Sequence, residues 1–267
     1  MSAQVTGAAD GTGRSGSAWA TGATGATESP GTTGTPAAGS AHAPHGAGPG
    51  EARAAVAEGR GWAWGAIAAG IGGVLVFAAA GPLWPYAESD LRDNALMVGK
   101  LEDSHMWWVY AVQFAFTLAA FGAVLFAAGL RRRLERQCPA GSLVPVTAYL
   151  GLLLTGVMSL VGTGMGTESF FAVQQRDKAD PDTVITQLAQ LGTYGWLWTG
   201  LLLTAAALVV AAFRQGAVSR WIGVVSALFA VVALIVALAP FQYMALFVGA
   251  PYLLVLGAGF AFGRREA

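Results

Sequence analysis

A chain of 267 residues that is 55% hydrophobic and only 11% charged, with a mean hydropathy of +0.54, is not an ordinary soluble domain. Its 15 basic and 15 acidic residues cancel to a formal net charge of +0, and no nucleic-acid partner is expected. The single cysteine, Cys138, rules out an internal disulfide.

Residues 1–50 are Gly, Ala, Thr, Ser and Pro with few charges and almost no large hydrophobes. Such a segment buries too little apolar area to offset its ordering entropy, so a disordered tail is predicted. His42 and His45 lie in it, but a metal site needs more ligands and a held geometry. Residues 51–61 have helical spacing and read as a juxtamembrane segment. The run after it has spanning length, so an uncleaved anchor is expected rather than a signal peptide.

Six long apolar runs follow, at 62–84, 107–130, 143–165, 194–213, 221–240 and 242–262. Each is close to the roughly 20 residues needed to cross about 30 Å of hydrocarbon. A backbone in lipid must satisfy its own hydrogen bonds, and none of the runs alternates as a strand would. The predicted fold is an all-α membrane protein whose six transmembrane helices form a bundle over 62–265.

Small residues recur at intervals of four inside the runs: Gly65, Ala69 and Gly73 in the first, and Ala115, Ala119, Ala123 and Ala127 in the second. Gln113 and Thr117 share a face of the second. The third run carries Gly151, Thr155, Ser159 and Thr163, continued by Thr167, a stripe of small and hydroxyl-bearing side chains on one helix face. Such faces let helices approach closely in lipid, or they can line a polar path. The amide of Gln113 needs a partner if it points inward, and that stripe is the candidate. Thr199 and Thr204 mark the fourth run, and Pro251 predicts a kink near 248–252 in the sixth. Gln242, Tyr243 and Tyr252 read as boundary or interhelical hydrogen-bonders.

Two loops are too long to be turns. The first carries Glu102, Asp103 and His105 close together, which reads as a solvated acidic face or a weak cation site. In the second, Asp180-Pro181-Asp182 reads as an N-cap with proline at the first helical position. Ile185, Leu188 and Leu191 then give a short amphipathic helix that ends at Gly192.

Charge is separated between the span ends. Ten basic residues (Arg53, Arg60, Arg131, Arg132, Arg133, Arg136, Arg214, Arg220, Arg264 and Arg265) flank one set, while the two long loops at the other hold nine acids (Glu88, Asp90, Asp93, Glu102, Asp103, Glu168, Asp177, Asp180 and Asp182). The positive-inside rule therefore predicts that both termini are cytoplasmic. Eight of the nine tryptophans fall at span ends, where indole prefers the headgroup boundary: Trp62, Trp64 and Trp221 on the inner side, Trp84, Trp107, Trp108, Trp196 and Trp198 on the outer.

No Asp, Glu, Lys, Arg or His lies well inside any run, although such a group is the usual mark of a proton relay or ion path. Ser159 and Ser226 have no intramembrane histidine to act as base. Gly162-Thr-Gly-Met-Gly166 lacks the lysine of a phosphate loop. No catalytic residue, cofactor or metal site is therefore assigned.

The runs Gly195-Trp-Leu-Trp-Thr-Gly-Leu, Ser219-Arg-Trp-Ile-Gly-Val-Val-Ser and Ala239-Pro-Phe-Gln-Tyr-Met resemble those of a broad group of uncharacterised six-span membrane proteins from high-GC bacteria. The resemblance implies a helical domain in a bacterial inner membrane and no particular activity. Three functional classes follow. The first is an accessory or sensory membrane component, with the bilayer and a protein partner or a second copy as its contacts. The second is a permease or exporter of a small uncharged or lipophilic solute, with Gln113, Thr117, Gly151, Thr155, Ser159, Thr163 and Pro251 as the face it would use. The third is a lipid-acting enzyme built on Glu102, Asp103 or Glu168.

Overall fold

The computed structural model describes residues 59–84 and 88–263. The predicted tail and most of the juxtamembrane segment lie outside these. Among the described residues every regular element is a helix, and six helical segments are long and apolar enough to cross a membrane. The elements are α1 (Ala63–Ala80), α2 (Asn94–Gly99), α3 (Ser104–Gln137), α4 (Val144–Gln174), α5 (Pro181–Thr193), α6 (Leu201–Phe213), α7 (Arg220–Leu238) and α8 (Ala245–Phe262).

Two helices run well past their apolar windows. At 1.5 Å per residue, α3 and α4 are about 51 and 46 Å long, against about 30 Å of hydrocarbon. The apolar window of α3 closes at Arg131, but Arg, Leu, Glu and Gln are good helix formers, so the helix continues through Arg136. Pro139 then stops it, because the residue before a proline is driven out of the α region, and Cys138 has φ −88° and ψ 153°. Gly141 supplies a left-handed turn at φ 80°, and α4 restarts with proline in its first turn. The same device ends α7: Ala239, before Pro240, is extended at ψ 160°.

The fourth span differs from its expected form. The amphipathic helix does begin at the Asp180 cap, whose carboxylate accepts from the Thr183 N–H at 3.1 Å. It does not end at Gly192. It passes through a seven-residue 3-10 stretch, Tyr194–Gly200, directly into α6, so that Pro181–Phe213 is one helical column. Gly192 retains a helical conformation because the buried Val184, Ile185, Leu188 and Leu191 are held from outside the helix, and packing overrides its weak propensity.

Neighbouring spans close a ring in the order α1, α3, α4, α6, α7, α8 and back to α1. Glycines set the closest approaches. A Cβ on Gly72 would lie 2.7 Å from the Ala115 carbonyl oxygen of α3, and one on Gly70 would lie 2.8 Å from the Ala250 carbonyl oxygen of α8. So α1 meets α3 and α8 backbone to backbone, as small faces permit in lipid. The outward faces are apolar, as Leu228, Val231, Ile235 and Leu238 of α7 illustrate.

Charge sorts to the two ends of the bundle. At one end Arg60 donates to the Ala261 carbonyl at 2.9 Å, Arg133 lies 5.0 Å over the Phe260 ring, and Arg131 lies 5.3 Å over Tyr149. At the other, α2 and α5 pack together as a cap, tied by Asn94 donating to Asp182 at 2.8 Å. Arg176 pairs there with Asp103 at 2.9 Å, and Lys100 pairs with the buried Asp90.

Candidate functional site

The hydroxyls of α4 are held locally first. Thr155 donates to the Gly151 carbonyl, Ser159 to that of Thr155, and Thr163 to that of Ser159, at 3.0, 2.8 and 3.1 Å. Each thereby satisfies its proton within its own helix and leaves only an acceptor for a neighbour.

Neighbouring helices meet α4 along this stripe. Gln113 of α3 donates its amide to Thr167 at 3.1 Å, and the Thr117 and Thr163 hydroxyls lie 3.2 Å apart. Gln113 thus finds its partner on the stripe of α4, at the end of it that continues to Thr167. Thr204 of α6 donates across to the Ala148 carbonyl at 3.0 Å, beside Gly151, where a Cβ would lie 2.5 Å from the Thr204 hydroxyl. Gly151 is therefore the crossing point of α4 and the fourth span. Thr155 and Ser159 are fully buried.

Trp198 fills the centre of the ring. It comes from the 3-10 stretch, is completely buried, and donates its indole N–H to Ser159 at 3.2 Å. A Cβ on Gly73 of α1 would lie 2.8 Å from its ring, and one on Gly249 of α8 would lie 2.9 Å from it. One side chain thus touches α1, α4 and α8. This corrects the reading of Trp198 as a headgroup anchor. The signal was in the spacing: Trp196 and Trp198 are two apart, so they cannot share one outward helix face. Trp62 also departs from a simple anchor, since it stacks on Phe126 at 5.6 Å and covers Gly129. Trp64, Trp84, Trp107, Trp108 and Trp221 are exposed at span ends.

Pro251 stands apart from the stripe. Helix α8 runs through it without interruption, and its ring is exposed on the outside of the bundle. Its neighbour Tyr252 points inward, donates to Ser226 at 2.9 Å and stacks on Phe229 at 3.9 Å, which joins α7 to α8.

The acids of the capped end are exposed, apart from the buried Asp90. His105 is buried, with its Nδ1 accepting from the Glu102 backbone N–H at 2.9 Å. Among the described residues no group of three His, Cys, Asp or Glu comes together to hold a metal ion. Cys138, half-buried where α3 stops, has its thiol pushed up from the ordinary value by burial.

No protein-family model, no curated protein and no solved structure matches this chain.

Proposed function

We propose that the chain is a non-catalytic multi-pass component of a bacterial inner membrane, acting as an accessory or sensory partner of other membrane proteins, with both termini in the cytoplasm. The observation that carries this reading is the Trp198 indole at the centre of the ring, hydrogen-bonded to Ser159. A solute route past the bilayer centre needs polar groups that face an opening. Here Gln113, Thr117, Thr163, Thr167, Ser159 and Thr204 engage one another, Trp198 or backbone carbonyls, and the space at Gly151, Gly162 and Gly166 is taken by Thr204 with the Gly200 carbonyl, by Phe116 and by Gln113. The positive-inside rule supports the threading, because Arg60, Arg131, Arg132, Arg133 and Arg136 gather at one end, where Glu135 pairs with Arg131 at 2.7 Å, while the acids of the two long loops lie at the other.

The test is chemical access. In a Cys138→Ser background, Thr155→Cys and Ser159→Cys are expected to stay inert to small water-soluble thiol reagents from both sides of the membrane. Rapid modification at both positions, blocked by a candidate solute, would replace this reading with that of a permease.

A further inference from the structure

A groove of about 360 Å³ opens at the basic end, between the start of α1 and the last turns of α3, lined by Trp62, Leu125, Ala128, Gly129, Arg132 and Arg136. Its floor and its rim differ in chemistry. Leu125, Ala128, Gly129, Arg132 and Arg136 follow one face of α3 at helical spacing, apolar toward the bundle centre and cationic toward the end. Gly129 makes the floor: its missing Cβ lets the Trp62 indole lie on the backbone of α3, and Phe126, stacked at 5.6 Å, and Phe260, tilted at 5.5 Å, fix it. At the rim, which Arg132 and Arg136 both line, the Arg136 Nε donates to the Arg132 carbonyl at 3.2 Å and so ties the Arg136 guanidinium to the backbone of α3. Leu125 is 63% exposed, so the apolar end of the groove faces the surrounding medium.

We propose that this groove binds one anionic phospholipid, with its phosphate against Arg132 and Arg136 and the start of an acyl chain along Trp62, Leu125 and Ala128. The order of groups along the groove is the order along a lipid: two cations at the level where a headgroup lies, an aromatic ring at the interface, and aliphatic side chains below. Arginine suits phosphate because its planar fork offers paired N–H donors. A basic pocket between spans at a positively charged end is a recurrent headgroup site. The proposal needs only that this end of the bundle reach the bilayer surface, and does not depend on which side that is or on the accessory role.

The test uses the full chain in nanodiscs of phosphatidylcholine containing a minor fraction of phosphatidylglycerol, with retained lipid counted by native mass spectrometry. One phosphatidylglycerol is expected to be retained in preference to phosphatidylcholine. Arg132→Gln with Arg136→Gln should lower that preference by roughly 30-fold, at about fivefold per surface arginine, while Arg214→Gln leaves it unchanged. Ala128→Trp keeps both charges and fills the groove, and it should abolish retention as well. The thermal midpoint of each variant in detergent checks that it is folded. Equal retention of phosphatidylcholine, an unaffected arginine double variant, or an Ala128→Trp protein that retains lipid like the parent would each overturn the proposal. Full competition by inorganic phosphate would assign the rim to free phosphate and overturn the lipid.

Discussion

Gly65 of α1 and Gly122 of α3 face each other reciprocally: a Cβ on Gly65 would lie 2.7 Å from the Gly122 carbonyl oxygen, and one on Gly122 would lie 2.6 Å from that of Gly65. Neither helix can yield to a side chain here without moving its backbone. Gly122→Leu is therefore expected to destabilise the bundle by about 1–3 kcal/mol or more, the usual range for overpacking, read as a lower thermal midpoint in mild detergent. Gly164→Ala, where a Cβ meets nothing within 4 Å, should leave the midpoint unchanged or raise it. Equal effects at both sites would show that the α1–α3 contact is loose.

Trp198 allows volume to be separated from hydrogen bonding. Trp198→Ala should cost about 3–5 kcal/mol through the cavity it leaves among α1, α4 and α8. Ser159→Ala removes only the acceptor for the indole N–H and should cost about 0.6 kcal/mol, the average for a hydrogen bond between membrane helices. Unfolding of both variants in a common detergent gives the comparison. A mild alanine variant at 198 would mean that the ring closes without its central side chain.

Threading can be read from single cysteines in a Cys138→Ser protein. Asp93→Cys and Asp180→Cys, at the capped end, should label with an impermeant reagent added outside intact cells, and Ala140→Cys, between α3 and α4, should label only after lysis. The opposite pattern would invert the orientation.

Cys138 gives a pH-dependent outcome. Its raised thiol value means less thiolate at any pH below that value than an ordinary cysteine carries, and the thiolate is the nucleophile. In detergent near pH 7.5 it should react with maleimide more slowly than a cysteine at the exposed Ala140. The gap should narrow as pH rises past the ordinary thiol range near about 8.5. A constant ratio across that range would assign the slowness to steric cover alone.

The spans were legible because a bilayer imposes length and apolarity on every segment that crosses it, and both are properties of contiguous sequence. The ends were less so. Arg131 closes an apolar window without ending a helix, and only Cys138-Pro139 does that. The hydroxyl stripe was visible as a period of four, and the need of Gln113 for a partner followed from its chemistry. The partner of Ser159 was not visible, because it depends on which way a tryptophan 39 residues away turns into the bundle. The fold of the second long loop was half legible: its cap was written in Asp180-Pro181, while its junction with α6 was set by packing that no local pattern records.

That junction fixes the azimuth of the fourth span. A 3-10 helix turns about 120° per residue and an α-helix about 100°. Over the seven residues Tyr194–Gly200 the difference amounts to about 140° of extra rotation. Helix α6 therefore emerges with its side chains wound more than a third of a circle beyond where an unbroken α-helix would have set them. The same column can thus offer α5 to α4 and the cap, Trp198 to the axis, and α6 to α4 and α7, with the overwound stretch serving as the phase shifter that keeps one face of the column on α4 while its other contacts change.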